Sequence, residues 1–377
     1  MQLTLQTQLF PDAAQAEMLK ETLRAFNSAC SWLAEKAFAL KSANKIALQQ
    51  MHYAEIRANF GLSAQMTVRA IAQSCEAYKR DKTICPQFRE FASMPFDERM
   101  MSFKGIDKVS LLTLQGRVIV PLVMGKYQAD RFSNAKGQCD LVYREHDGKW
   151  FLLVTAEFPD GEEIELTDFI GIDLGINQLV TTSDGNSETG SEIDTVQKKY
   201  AKLRQILQHK AAKQTRSRKR PRSIHRFLKR ISKRVRHFKR HSNHVISKKI
   251  VQNAKDTNRN IAIEDLKGIR GRCEARFRRF ERARFSGWSF SELRQYIEYK
   301  AKLAGVSVLA IDPRNTSRRC NKCGHCGKEN RKSQAEFVCV ECNHSENADI
   351  NAAKNIRSTA ISNYAARVEK QCVQSTW

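Results

Sequence analysis

The sequence predicts a multidomain α/β protein. Short apolar runs that end in an acidic residue, such as Phe169 to Asp173, are typical of buried strands. They are interspersed with longer blocks in which apolar residues recur every three or four positions, the pattern of amphipathic helices. Because the chain has 377 residues, it has room for two or three such domains, each with its own core.

The first part of the chain is expected to form a β domain that carries a helical insert. Residues 2–10 alternate apolar and polar positions and predict a strand. Asp12 then begins a helical block, and period two returns in short runs up to Phe158, with Asp147-Gly148 as a hairpin turn. We therefore assign residues 1–10 and 104–165 to the β domain, and residues 11–103 to the helical insert.

The second part combines strands, helices and a cysteine-rich insertion. Strands are predicted at residues 169–173, 179–182, 260–264 and 306–311, and helices at residues 289–303 and around Asp349. We assign residues 166–311 and 345–377 to one split domain, and residues 312–344 to a metal-binding insertion.

Two Cys-x-x-Cys pairs form the most specific motif. They are Cys320 with Cys323 and Cys339 with Cys342, separated by fifteen residues. Four thiolates at this spacing can close a tetrahedral zinc site of the ribbon type. Such a site has no open coordination position, so we expect one structural Zn²⁺. Nearby His325, Cys326 and His344 are alternative ligands.

Three acidic residues occupy positions suited to divalent cations. Asp173 and Glu264 each end a predicted strand, and Asp349 lies on a short alanine-rich helix. In an RNase H-type fold, acids at the ends of adjacent strands and on a helix across the sheet hold two cations for phosphodiester hydrolysis. Carboxylate oxygens favour Mg²⁺ or Mn²⁺ there. Only one of Glu264 and Asp265 can face such a site, because successive strand residues point in opposite directions.

Positive charge is concentrated in one segment. The formal net charge is +25, and residues 195–255 contain 22 Lys or Arg and no Asp or Glu. An all-positive run of this length repels itself unless a polyanion is present, which favours phosphate binding over a merely solvated helix face. The residues assigned to nucleic-acid contact are Arg216, Arg218, Lys219, Arg220, Arg222, Arg226, Lys229, Arg230, Lys233, Arg234 and Arg236, followed by Arg276, Arg278 and Arg279 in a second basic stretch.

Composition argues against membrane and secreted proteins. No window approaches the roughly 20 apolar residues of a membrane span, and the N-terminus lacks a signal-peptide pattern. Eleven cysteines, four of them in a metal pattern, fit a reducing compartment better than a disulfide scaffold. The sequence therefore predicts a soluble intracellular protein that has no membrane partner.

Four motifs together resemble the TnpB (OrfB) proteins of bacterial insertion sequences, which are related to the compact type V CRISPR effectors. They are FIGIDLGINQLVTTSDG, NIAIEDLKG, TSRRCNKC with CVEC, and ADINAAKNI. The match covers about Phe169 to Arg357, and the N-terminal half matches more loosely.

The resemblance implies an RNA-guided DNA endonuclease. Its split domain would be RuvC-like, with an RNase H-like fold and an inserted zinc ribbon, and Asp173, Glu264 and Asp349 match the family's catalytic, metal-binding acids. The β domain would be a wedge and the helical insert a recognition lobe. Phe277, Phe280, Phe285 and Trp288 lie where the family carries a lid near the site.

The same resemblance implies the partners and leaves two alternatives. A guide RNA would select double-stranded target DNA by base pairing next to a short flanking motif. The protein would act as a monomer in a ribonucleoprotein, in the cytoplasm and near the nucleoid of a bacterial or archaeal cell. The alternatives are a catalytically silent RNA-guided DNA-binding repressor and a transposase that performs strand transfer on an RNase H-like fold.

Overall fold

The computed structural model describes residues 1–161, 168–175, 178–216, 222–266 and 290–374. The chain divides into two compact units, Met1–Pro159 and Asp160–Trp377. Within the described ranges, no helix is both long and apolar enough to cross a membrane.

Unit 1 combines a seven-stranded sheet with a group of helices. Its elements are β1 (Gln2–Leu9), α1 (Ala13–Ala39), α2 (Lys45–Phe60), α3 (Ala64–Arg80), β2 (Met94–Phe96), β3 (Met101–Lys104), β4 (Lys108–Thr113), β5 (Gly116–Val123), α4 (Lys126–Ala129), β6 (Ala135–Arg144) and β7 (Lys149–Glu157). The sheet order is β2-β6-β7-β1-β5-β4-β3, and every pairing is antiparallel.

The first strand lies in the middle of this sheet and leads directly into the helices. Leu5 and Leu9 are buried, as the alternating pattern predicts, and share one core with α1, α2 and α3. Asp12 caps α1 because its carboxylate accepts a hydrogen bond from the Gln15 backbone N–H, at 2.8 Å, while the Gln15 side-chain oxygen accepts one from the Asp12 N–H, at 3.2 Å. The predicted strand, the helix start and the Asp147-Gly148 turn between β6 and β7 are confirmed.

Residues 94–104 differ from the expectation. The sequence pattern predicts that residues 94–103 belong to the helical insert and that Lys104 belongs to the β domain. In the structure, β2 and β3 are both strands of the sheet. These strands are three and four residues long, which is too short to show an alternation of period two. Pairing with β6 and β4 stabilises them, and that pairing has no local sequence signal.

Unit 2 contains a five-stranded mixed sheet, helices on both faces and a small cysteine-rich lobe. Its elements are β8 (Phe169–Asp173), β9 (Gln178–Thr182), β10 (Ser187–Thr189), α5 (Ser191–Arg216), α6 (Arg222–Asp256), β11 (Asn260–Glu264), α7 (Phe290–Ala304), β12 (Val308–Ile311), β13 (Glu336–Val338), β14 (Ser345–Asn347) and α8 (Ala348–Gln374). The sheet order is β10-β9-β8-β11-β12.

The register of this sheet brings two strand ends together. Strands β8, β11 and β12 are parallel, and β9 and β10 continue antiparallel from β8. Ile263 pairs with Ile172, so Glu264 and Asp173 are the next residues on neighbouring strands. Because parallel strands end at the same edge of a sheet, both acids lie at one edge.

Each face of the sheet is covered by helices. Ile170 and Ile172 share a core with residues of α6 and α7 on one side. On the other side Phe169 packs against Ile356 and Ala360 of α8. Residues alternate between the two faces along β8, so Gly171 and Asp173 are on the α8 side.

The close approach of α8 to β8 depends on a glycine. A Cβ built on Gly171 would lie 2.0 Å from the Ala353 carbonyl oxygen and 2.7 Å from the Arg357 nitrogen. Both atoms are backbone, so no side-chain rotation relieves the overlap. Ala352 and Ala353 are fully buried at this contact, as the alanine-rich pattern of the helix predicts.

We expect Gly171→Ala to destabilise unit 2 by about 3 kcal/mol, since a methyl group must push α8 off the sheet. Thermal unfolding followed by circular dichroism measures this loss. Gly327→Ala is the matched control, because its added Cβ would meet only the movable side chain of Glu329. Equal melting temperatures for the two variants would contradict the close-packing argument.

Candidate active site and metal centre

The structure brings the three predicted acids into one cluster. Asp173 ends β8, Glu264 ends β11 and Asp349 lies in the first turn of α8. The pKa of Asp173 is raised to about 8, first by burial and then by the nearby Glu264 and Asp349 carboxylates. Burial also raises the pKa of Glu264 and of Asp349. Asp173 is therefore close enough to Glu264 and to Asp349 for their negative charges to act on it.

This repulsion is what a cation site requires. Ionised carboxylates that are partly removed from water are unfavourable unless an opposite charge compensates them. Several carboxylate oxygens at one edge of a sheet form a donor set for a hard divalent cation. The donor set of Asp173, Glu264 and Asp349 fits such an ion.

Two further side chains contact the cluster, and sequence reasoning missed both. The Thr316 hydroxyl donates to Glu264 Oε1 at 2.5 Å. Arg331 Nη2 donates to Asp349 Oδ1 at 3.2 Å, and its positive charge offsets part of the rise in the pKa of Asp349 and of Asp173. Thr316 is close in sequence to Cys320, but Arg331 lies between the cysteine pairs. No local sequence pattern indicated that either side chain contacts an acid that lies on a distant strand or helix.

The four predicted cysteines also come together. Their sulfurs all lie within 4.8 Å of one another. Cys320 Sγ is 3.7 Å from Cys342 Sγ, and Cys323 Sγ is 3.5 Å from Cys339 Sγ. A tetrahedral zinc ion with Zn–S bonds of about 2.3 Å separates its ligands by about 3.8 Å. The cluster therefore fits a four-sulfur structural metal site.

Both cysteine pairs adopt the same turn. The residue after each pair, Gly324 and Asn343, has a positive φ of 80° and 54°. Its N–H donates to the carbonyl of the first cysteine, Cys320 or Cys339, at 3.0 Å in both turns. Glycine and asparagine are the residues that adopt this left-handed conformation most easily. The alternative ligands His325, Cys326 and His344 are not among the four clustered residues.

Two buried asparagines of α8 attach the cysteine-rich lobe to the helix of Asp349. Asn351 donates to the Arg319 carbonyl at 2.8 Å and accepts from the Asn321 N–H at 3.0 Å. Asn355 donates to the carbonyls of Thr316, at 2.8 Å, and Arg319, at 2.7 Å. Residues 316–321 include both Thr316 and Cys320 of the first Cys-x-x-Cys pair. These hydrogen bonds thus hold that range against α8.

Part of the predicted basic surface lies on α6. The apolar residues of this helix include buried Ile231 and Ile246, so its other face carries the charge. Arg222, Arg226, Lys229, Arg230, Arg234 and Arg236 are exposed, and Lys233 is half-buried. Arg216 ends α5. Arg218, Lys219, Arg220, Arg276, Arg278 and Arg279, together with the four aromatic residues of the expected lid, lie outside the described residues.

Comparison with known families gives two matches. Residues 155–269 match the OrfB_IS605 model, described as a probable transposase, and residues 290–356 match the Cas12f1-like TNB domain. These ranges contain all three acids and all four clustered cysteines.

Individual relatives agree with these models. The CRISPR-associated endodeoxyribonuclease Cas12f1 of Sulfoacidibacillus thermotolerans is 29% identical, over 70% of this chain and 61% of that protein. The putative RNA-guided DNA endonuclease InsQ of Escherichia coli K12 is 31% identical, over 55% of this chain and 53% of that protein. A TnpB-like protein of Methanocaldococcus jannaschii is 27% identical, over 68% of this chain and 92% of that protein. The match thus spans less than two thirds of Cas12f1 and of InsQ.

A solved structure shares the overall fold. The mini-RNA-guided endonuclease CRISPR-Cas phi3 superposes with a TM-score of 0.58 at 10% identity, over 96% of this chain and 92% of that one. This likeness supports the predicted multidomain α/β architecture. Together with the family models and relatives, the motifs around Asp173, Glu264, the cysteine pairs and Asp349 lead to one conclusion: within residues 155–356 the chain is similar to the TnpB (OrfB) proteins and to the compact type V CRISPR effectors.

Proposed function

We propose that the chain is an RNA-guided DNA endonuclease that hydrolyses phosphodiester bonds at the Asp173, Glu264 and Asp349 cluster. The observation that carries the proposal is the convergence of these acids from two strand ends and a helix. In this sheet β8, β9 and β10 follow one another as an antiparallel series, and β11 and β12 continue on the other side of β8, parallel to it. This is the strand arrangement of an RNase H-type sheet. Names of relatives that include RNA-guided DNA endonucleases support the same activity.

Each side chain of the cluster has a role in this proposal. Asp173, Glu264 and Asp349 would hold Mg²⁺ or Mn²⁺, because carboxylate oxygens suit these hard ions. Such ions supply an activated water and stabilise the leaving oxygen of a phosphodiester. The Thr316 hydroxyl orients the Glu264 carboxylate through its 2.5 Å hydrogen bond. Arg331 partly neutralises the Asp349 carboxylate through its 3.2 Å contact, and its guanidinium would suit the phosphate of a bound strand.

The four-cysteine cluster would hold one structural Zn²⁺. Thiolates favour this ion over Mg²⁺, and four sulfurs leave no position for substrate. The role of the ribbon is to fix the start of α8 through Asn351 and Asn355. Because seven residues span at most about 25 Å when fully extended, Cys342 and Asp349 cannot move independently.

The remaining domains follow the same scheme. Residues 166–311 and 345–377 would form the RuvC-like nuclease domain, with the ribbon at 312–344. The sheet of unit 1 would act as the wedge and helices α1, α2 and α3 as the recognition lobe. The exposed arginines of α6 would contact the phosphates of guide RNA or of its duplex with DNA. Guide pairing, next to a short flanking motif in the DNA, would choose the target.

The proposal is tested with the RNA that binds the chain. We expect the chain, purified from cells that carry its own genomic surroundings, to copurify with a discrete RNA. With Mg²⁺, this complex should cut plasmids that contain the matching target, and only beside particular sequences in a randomised flank. Sequencing of the RNA and of the cleaved ends measures both expectations. Cleavage that is indifferent to the RNA sequence would contradict RNA guidance.

A second candidate is a strand-transfer enzyme, because the model that matches residues 155–269 is described as a probable transposase. Strand transfer also uses three acids on an RNase H-type sheet. The two functions differ in their products. Joined DNA strands formed without RNA would favour the transposase, whereas hydrolysed ends formed only with RNA would favour the nuclease.

A further inference from the structure

Three consecutive hydroxyl residues, Thr181, Thr182 and Ser183, lie at the end of β9 and directly after it, and one of them lacks a partner among the described residues. The Thr182 hydroxyl donates to the Asn186 carbonyl at 3.3 Å and accepts from the Asn186 N–H at 3.2 Å. The Ser183 hydroxyl accepts from the Gly171 N–H at 3.2 Å. Thr181 is only 3% exposed, yet its Oγ1 has no hydrogen-bond partner among the described residues. A buried hydroxyl without a partner costs stability, so Thr181 calls for a partner that the described residues do not supply.

The register of the sheet places this hydroxyl beside the acid cluster. Thr181 lies directly opposite Asp173 in the antiparallel pair of β9 and β8. Directly opposed residues share a face, with their Cβ atoms about 4.5–5.5 Å apart. That face is the one covered by α8, which contacts both strands. Thr181 therefore points toward the side of the sheet where Asp173 and Asp349 meet.

We infer that Thr181 is a positioning residue of the cation site, whose hydroxyl hydrogen-bonds to the hydration shell of the divalent ion held by Asp173. This inference rests on the proposed function. Mg²⁺ dehydrates reluctantly and keeps several waters, each of which needs hydrogen-bond partners. A threonine hydroxyl can either donate to or accept from such a water. The proposed partner accounts for a buried hydroxyl that the described part of the chain leaves unsatisfied.

The test measures Mn²⁺ binding and thermal stability of the full, zinc-loaded chain. Thr181→Val keeps the shape of the side chain and removes the hydroxyl. We expect its Mn²⁺ affinity, from electron paramagnetic resonance of free Mn²⁺, to fall about 10-fold, as for other outer-shell partners of metal ligands. In the absence of Mn²⁺, the melting temperature of Thr181→Val should stay the same or rise, because the variant no longer contains the unsatisfied hydroxyl.

Two variants separate this role from a structural one. Thr182→Val should lower the melting temperature, since it removes both bonds to Asn186, and should leave Mn²⁺ affinity unchanged. Thr181→Ser retains the hydroxyl and should restore the affinity that Thr181→Val loses. Mn²⁺ affinity of Thr181→Val equal to that of the unmodified chain would overturn the inference.

Asp173→Asn in the same assay distinguishes this failure from failure of the proposed function. If Asp173→Asn loses Mn²⁺ binding while Thr181→Val retains it, the cluster holds the ion and only the role of Thr181 is wrong. If Asp173→Asn binds Mn²⁺ as the unmodified chain does, the cluster holds no cation. Both the inference and the proposed function are then overturned.

Discussion

Replacement of Asp173 by alanine is expected to lower the rate of target-DNA cleavage by at least about 10³-fold, because each carboxylate at a two-cation site contributes several kcal/mol of charge stabilisation in the transition state. Assembly with the guide RNA should survive, since the basic residues lie on helix α6, whereas Asp173 ends strand β8. Single-turnover cleavage and RNA copurification measure the two properties separately. Cleavage that persists at the unmodified rate would refute the assignment of the acid cluster.

Asp265→Ala is the matched control for this experiment. Asp265 directly follows Glu264, but it pairs with Arg294 Nη1 at 2.7 Å instead of joining the cluster. A partly exposed ion pair of this kind contributes about 0–1 kcal/mol to stability. Asp265→Ala should therefore cut DNA at close to the normal rate. An equal loss in both variants would indicate a general effect of removing acidic residues.

Removal of one zinc ligand is expected to have a comparably large effect. Cys339→Ser should abolish zinc binding and most DNA cleavage, because the ribbon fixes residues 316–321 against Asn351 and Asn355 and thereby the position of Asp349. Structural zinc sites supply about 10–16 kcal/mol of apparent binding free energy, which is also folding energy for a small lobe. Elemental analysis, thermal unfolding and single-turnover cleavage measure the three consequences.

Cys326→Ser tests whether the effect is specific to the cluster. Cys326 is an exposed ribbon cysteine that lies outside the four clustered residues. We expect this variant to keep its zinc, its melting temperature and its activity. The coupling between ribbon and acid cluster would be refuted by a zinc-free Cys339→Ser chain that cuts DNA normally.

The chemistry of the two clusters could be read from the sequence. The spacing of Cys320, Cys323, Cys339 and Cys342 is local, and the structure gathers their sulfurs as predicted. Asp173, Glu264 and Asp349 each stood in an interpretable local context, since a strand end or an alanine-rich helix is set by neighbouring residues. The roles assigned to these acids stay predictions until the variants are measured.

The partners of these residues could not be read in the same way. Thr316 reaches Glu264 across 52 positions of the chain, and Arg331 reaches Asp349 across 18. Strands β2 and β3 were missed because their stability comes from pairing with β6 and β4. Such contacts depend on which elements are adjacent in space, and adjacency is not encoded in any short window.

The sequence by itself determined which acidic and cysteine side chains are candidate ligands, and the strand or helix on which each acid lies, because periodicity, turn residues and short spacings are local properties. Only the tertiary structure decided that Ile263 pairs with Ile172, that Gly171 lets α8 approach the sheet, and that Thr181 lies opposite Asp173 with no hydroxyl partner in the described ranges. Register and helix packing arise from contacts between distant segments. A shift of one residue in the strand register or in the helix packing would turn an acid away from the cluster, although every sequence motif would remain intact.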